Sequence, residues 1–202
     1  MMKPLFRTLT RRRAGAVLIA ASSVFLLGCS GDSPADLLAR DLKDADDDVR
    51  AEAADSLGEL GPDVASAAPA LVEALHDTNV KVRYRAVKAL GKIGIVDKSA
   101  VPSLTNMLQD SDRNMRYYAA KALSEVGPDA APAVPVLTKA LADKDPEVRY
   151  YVVKSLGEIG ADAASALPAL KQALRDSDDR VRSMAASAVR KVERPQVVAG
   201  GT

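Results

Sequence analysis

Apolar and polar positions along this chain return in a fixed order. Two leucines four apart open a unit, a short polar break with aspartates follows, and then comes a run whose apolar residues are spaced by three and four. That spacing gathers them on one face of a helix. The series restarts every 33 residues without an insertion, as the markers Val49-Arg50, Val82-Arg83, Met115-Arg116, Val148-Arg149 and Val181-Arg182 show. Two leucine columns keep the same step, Leu38, Leu71, Leu104, Leu137, Leu170 and Leu42, Leu75, Leu108, Leu141, Leu174. A fixed period of this length means a stacked array, because one unit alone cannot bury its apolar face.

Each unit predicts two helices. The first opens at Pro69, Pro102, Pro135 and Pro168, with Asp36 at the matching place in the first copy. Proline suits the first turn, where its missing N–H has no partner to lose. The second follows Asp46, Asn79, Asp112, Asp145 or Asp178, whose short side chains can accept a free backbone N–H. It buries the column Val82, Ala86, Ala89, Leu90, Ile93 and its equivalents. Gly61, Gly94, Gly127 and Gly160 close it, as expected of a left-handed C-terminal residue. The fifth copy has Glu193 there and Pro195 soon after, which places the end of the array near Val192 and leaves residues 193–202 as a loose tail.

The pattern P-x-L-x-x-x-L-x-D…[DN]-x-x-V-R-x-x-A-A-x-A-L-G-x-[IV]-G resembles HEAT repeats of the short, PBS-lyase HEAT-like type. The resemblance covers residues 35–192 and implies an all-α fold, an α-solenoid of five 33-residue helix hairpins. First helices would lie on the convex side and second helices on the concave side. It also implies that Asp44, Asp77, Asp110, Asp143 and Asp176, each six residues before Arg50, Arg83, Arg116, Arg149 and Arg182, form a ladder joining neighbouring units. An arginine fork can hold a carboxylate and a nearby carbonyl together. These ten residues are expected to be scaffold.

The remaining 34 residues have another character. Lys3, Arg7, Arg11, Arg12 and Arg13 precede an uncharged, largely apolar run at 14–28, and no acid occurs in this leader. The run is shorter than the about 20 residues of a membrane span and fits a secretory leader. Leu26-Leu27-Gly28-Cys29 resembles a bacterial lipobox. That implies a lipoprotein signal peptide over 1–28 and lipidation of Cys29, with residues 29–34 as a short linker. Ser30 after the cysteine implies the outer membrane, facing the periplasm, in a cell with two membranes. The five residues between Cys29 and Ala35 reach at most about 17 Å, so the array would ride close to the lipid. Cys29 is the only cysteine, which excludes an internal disulfide and a cysteine-based metal site.

Charge excludes one class of partner. Without the five leader cations the 28 lysines and arginines fall to 23 against 27 acids, net −4. No basic footprint for nucleic acid exists. Charge is uneven: residues 29–68 hold 11 acids and 3 bases, whereas 69–101 hold 3 acids and 6 bases. Asp46-Asp47-Asp48 lacks the ligand spacing of a calcium loop and is expected to be a solvated helix start. No metal site and no cofactor are expected.

All five tyrosines fall in one recurring slot. With about 100° per residue and Val82 as origin, Ala86 lies at about 40°, Leu90 at about 80° and Ile93 at about 20°. Tyr84 then lies at about 200° and Lys88 at about 240°, almost opposite the core. Stacking aligns Tyr84, Tyr117 and Tyr150 with Lys88, Lys121 and Lys154 beside them, in steps of roughly 10 Å. Arg85, Tyr118 and Tyr151 form a further row, at about 300°, turned toward a neighbouring unit. The end units carry Ala51, Glu52, Asp55 and Ser183, Met184, Ser187 instead. Such a strip points to a protein or peptide partner, with the lysines suited to an acidic one. The second row can equally pack between units.

No catalytic set accompanies it. His76 is the only histidine, and no nucleophile motif or phosphate loop occurs. Some HEAT-like proteins are bilin lyases and others are metal hydroxylases built on His–Glu pairs. The single histidine excludes the second chemistry, and no residue points to the first. The expectation is a membrane-anchored, non-catalytic binding scaffold. The alternatives are an accessory or lyase-like chaperone for a small ligand or enzyme, with a pocket at Tyr118 and Tyr151, and a self-associating envelope protein.

Overall fold

The computed structural model describes residues 33–61, 66–94 and 98–194. The leader, Cys29 and residues 195–202 lie outside them. Among the described residues ten α-helices follow in pairs: α1 Pro34–Asp41 and α2 Asp47–Leu60, α3 Ala68–Ala74 and α4 Val80–Ile93, α5 Val101–Met107 and α6 Arg113–Val126, α7 Val134–Ala140 and α8 Pro146–Ile159, α9 Leu167–Ala173 and α10 Asp179–Glu193. Among the described residues there is no strand. Each pair is one hairpin, and successive second helices pack on one another. The fold is an all-α solenoid of five hairpins.

The expected caps form. Asp46, Asn79, Asp112, Asp145 and Asp178 each accept a backbone N–H two residues on from an extended conformation. The first helices start earlier than their prolines. Each of α3, α5, α7 and α9 has its proline in second place, because the chain arrives already coiled; α7 and α9 follow directly on 3-10 turns at Gly127–Ala133 and Gly160–Ala166. The first unit instead begins at Pro34, where Ser33 and Asp36 cap each other reciprocally. Gly94 adopts the left-handed conformation, φ 71° and ψ 11°, and its N–H donates to Leu90 O. Gly61, Gly127 and Gly160 share the positive φ but turn to ψ between −136° and −148°, so they do not form the expected left-handed cap.

One leucine column is wholly internal: Leu71, Leu104, Leu137 and Leu170 are 0% exposed. The other shows what stacking does. Leu42, Leu75 and Leu108 are buried, Leu141 is half-buried, and Leu174, in the last unit, is 39% exposed. Second helices approach closely where glycine allows. A Cβ on Gly58 would stand 2.9 Å from Ala89 Cα, and one on Gly157 3.1 Å from Ala188 Cα. At the α4–α6 junction a Cβ on the matching Gly91 would stand 3.3 Å from the Tyr118 ring instead. There α4 and α6 touch over less of their length than the other neighbouring second helices.

The arginines join the units, each reaching two ways. Arg50 donates through Nη1 to Asp44 O of its own loop at 2.8 Å, and through Nε and Nη2 to both carboxylate oxygens of Asp77 in the next unit, at 2.6 and 3.0 Å. Arg116 does the same with Asp110 O and Asp143, and Arg149 with Asp143 O and Asp176. The arginine hydrogen bonds hold Asp77 and Asp176 below the usual carboxylate range. Arg83 donates to Asp77 O and Thr78 O but not to Asp110, so one rung of the expected ladder is open. Arg182, at the end, turns its free side to Asp179. Asp44 receives no arginine on its carboxylate among the described residues and accepts Asp46 N–H.

The Arg116–Asp143 rung is the most enclosed, with both side chains 9% exposed. Arg116→Ala leaves Asp143 enclosed without its partner and is expected to cost about 3 kcal/mol or more. Arg83→Ala breaks no bond between units and should cost clearly less. Urea unfolding followed by circular dichroism compares the two. On acidification, the stability from Asp77 and Asp176 is present above about pH 4, their unfolded value, and is lost as pH falls through their lower folded values.

Candidate binding face

The slot that carries the tyrosines lies on the second helices α4, α6 and α8, and all five rings are half-buried against the core. Helical spacing placed Tyr84, Tyr117 and Tyr150 facing solvent, with Tyr118 and Tyr151 in a separate row. The structure joins the two rows. Tyr84 meets Tyr118 at 6.2 Å between ring centroids, Tyr118 meets Tyr117 at 4.8 Å, Tyr117 meets Tyr151 at 5.3 Å, and Tyr151 meets Tyr150 at 5.2 Å. Every contact is edge-to-face, with interplanar angles between 75° and 88°, the arrangement ring quadrupoles favour. Tyr118 and Tyr151 therefore fill the steps between units, each against the outer tyrosine of the unit before.

Stacking withdraws the rings from water. Burial, and next the Tyr151 hydroxyl, pushes the Tyr117 phenol up to about 12, and burial also raises Tyr118. Arg113 lies 6.0 Å from the Tyr117 ring centre and Lys154 5.9 Å from that of Tyr151. Both distances suit a cation on an aromatic face. Behind the rings, Ser155 is fully buried and donates to Ala120 O of the preceding unit at 3.0 Å.

The cations are less free than their spacing indicates. Lys88 and Arg85 both bond Asp55 of the first unit. Burial alone would raise Asp55, but these two donors outweigh it and hold the carboxylate below its usual range. Lys154 bonds Glu125 of the unit before at 2.9 Å. Lys121 makes no ion pair among the described residues. Its stem runs beside Gly91, 3.7 Å from where a Cβ would stand. Asp55 and Glu125 were missed as lysine partners. Asp55 occupies the lysine slot one period before Lys88 and Glu125 lies 29 residues before Lys154, spacings that put them on adjacent units but do not give the contact.

The tyrosine chain ends at a groove of about 410 Å³, where Tyr150 faces Ser183, Met184 and Ser187. In the fifth unit these small or flexible residues replace Tyr, Tyr and Lys, so nothing fills the next step. Arg180 at its rim is held by Asp178 and Glu147. The acidic run is also engaged. Asp46 caps α2, Asp47 accepts from Asn79, and Asp48 accepts from Lys81.

These features define a class, the helical-repeat solenoid with an aromatic strip on its second helices. The chain belongs to the HEAT-repeat family, whose model matches residues 34–110, 68–139 and 134–199. No match was found among curated proteins. Among solved structures, the complex of CpcE and CpcF of phycocyanin lyase from Nostoc sp. PCC7120 is similar at 29% identity, covering 85% of this chain and 70% of that one, with a TM-score of 0.63. An engineered protein matches at 22% identity over 89% of this chain and 83% of its own, TM-score 0.69. A designed armadillo repeat protein in complex with the peptide (KR)4 matches at 18% identity over 89% and 86%, TM-score 0.67. The last two likenesses concern the fold alone.

The raised Tyr117 value gives a pH dependence. The folded protein holds this proton more tightly than the unfolded chain, whose phenols ionise near pH 10. Stability from this group is complete below about pH 10 and falls as pH rises toward about 12. Tyr117→Phe should remove that part of the alkaline loss while keeping the stacked ring. Thermal unfolding across pH 9 to 12 measures both proteins.

Proposed function

We propose that this chain is a membrane-anchored, non-catalytic scaffold that binds a protein or peptide segment along the tyrosine strip of its second helices. The observation that carries this reading is the unbroken five-ring chain, half-exposed across the three central units. Rings already held by their neighbours lose little freedom when a partner arrives, so more of the contact energy appears as affinity. Lys121, without a carboxylate of its own, favours an acidic group at the centre of the strip. The groove beside Tyr150 offers a place for one large side chain at the end.

The lipobox resemblance at Cys29 supports anchoring in the cell envelope, on the periplasmic face of an outer membrane. No helix among the described residues is long and apolar enough to cross a membrane. In this reading anchoring rests on the leader and on lipid. The likeness to a phycocyanin lyase complex supports a second reading, an accessory or lyase-like chaperone. It would use the groove at Tyr150 rather than Tyr118 and Tyr151, whose rings are stacked.

A crosslinked pull-down from native envelopes tests the first reading. Two variants are compared with the wild type. Tyr84, Tyr117, Tyr150→Ala strips the outer rings, and Lys121→Glu reverses one charge without touching the stack. The same captured protein should fall about tenfold or more with each, while circular dichroism stays helical. Equal capture by all three proteins contradicts the strip as the contact surface. Cys29→Ser should release the protein from the membrane fraction, and retention there contradicts lipid anchoring.

A further inference from the structure

The open rung lies away from the tyrosine strip, where the loops and first helices of the second and third units meet. Arg83 is anchored like its counterparts, with Nη1 on Asp77 O at 2.8 Å and Thr78 O at 3.1 Å. In Arg50, Arg116 and Arg149 that anchoring turns Nε and Nη2 onto a carboxylate. In Arg83 the same two donors have no partner among the described residues. Asp110 is likewise set in its usual pose, accepting Asp112 N–H at 2.7 Å, and receives no arginine. Between the two lies a space of about 230 Å³ that both residues line.

The wall of this space is specific to this junction. Met107 stands where the second, fourth and fifth units have alanine, and Met115 where the others have valine. With Leu75 they form an apolar side. His76, Ser103 and Asn106 also line the space, and His76 Nε2 and Ser103 Oγ bond each other at 2.8 Å. The volume is below the roughly 300–1,000 Å³ of pockets for drug-sized ligands and suits a smaller one.

Charge decides the ligand class. A simple anion would be attracted by Arg83 and repelled by Asp110, and a simple cation the reverse. A zwitterion satisfies both halves of the parted pair. We propose that this gap binds a small zwitterion with an apolar side chain, of the α-amino-acid class. Its carboxylate would take the Nε and Nη2 fork of Arg83, its ammonium Asp110, and its side chain the Leu75, Met107 and Met115 wall. The fork is suited to the first contact, because three sister arginines hold a carboxylate in just that way.

Titration calorimetry on the full-length chain tests this with L-leucine and L-methionine as probes. Leucinamide, which lacks the carboxylate, and N-acetyl-leucine, which lacks the ammonium, serve as controls. At least one amino acid should bind saturably, and both leucine derivatives should bind about tenfold more weakly than leucine or not at all. Arg83→Lys keeps the charge without the fork, and Asp110→Asn keeps an acceptor for Asp112 N–H. Each should lose binding about tenfold or more while the unfolding midpoint stays near that of the wild type. Absence of saturable binding by both amino acids overturns the proposal. So does N-acetyl-leucine binding as tightly as leucine. Asp110→Asn destabilising the protein as much as Asp143→Asn would show that the rung is closed in solution, and would overturn it as well.

Discussion

The stack depends on one guanidinium in each of the first, third and fourth units doing two jobs. Nη1 gathers the carbonyls at the end of its own loop, and the other two nitrogens hold the aspartate of the next unit. That aspartate also accepts the backbone N–H of the residue that caps the following helix, as Asp77 does from Asn79. A single fork thus ties a loop, a neighbouring loop and a helix start. Hydrophobic burial supplies most of the stabilisation, but it is non-directional. The fork adds register, because two parallel bonds to a carboxylate admit one orientation.

Register is what the tyrosine strip requires. Tyr118 reaches Tyr84, and Tyr151 reaches Tyr117, only if adjacent second helices hold a set offset. Close glycine contacts bring these helices together at Gly58 and Gly157, while at Gly91 the Tyr118 ring takes the space. The same rings therefore serve packing on their inner edges and present a surface on their outer ones. The end units lack them and leave Leu37 and Leu60 exposed at the start and Leu174 at the finish.

Much of this was legible in the sequence. The 33-residue period, the five helix caps and the two leucine columns follow from local chemistry that each unit repeats on its own. Tyr84, Tyr117 and Tyr150 could be assigned to one helix side from 3.6-residue geometry. What an angle around one helix cannot give is the neighbour. The half-burial of the rings, the capture of Lys88 and Arg85 by Asp55, and the pairing of Lys154 with Glu125 all depend on the offset between helices. The open rung was hidden for the same reason. Arg83 and Asp110 match the repeat pattern, yet in the structure they do not bond and line a space walled by Met107 and Met115.

Native-state hydrogen exchange under mild denaturant measures most directly whether the arginine rungs are what couple the units. Closed rungs join the first unit to the second and the third to the fourth and fifth. If the rungs set the coupling, amides of α2 and α4 should open as one group, and those of α6, α8 and α10 as a second and more protected one, with the boundary at the open rung. A single opening transition shared by all five second helices would contradict this, and would assign the coupling to apolar stacking alone.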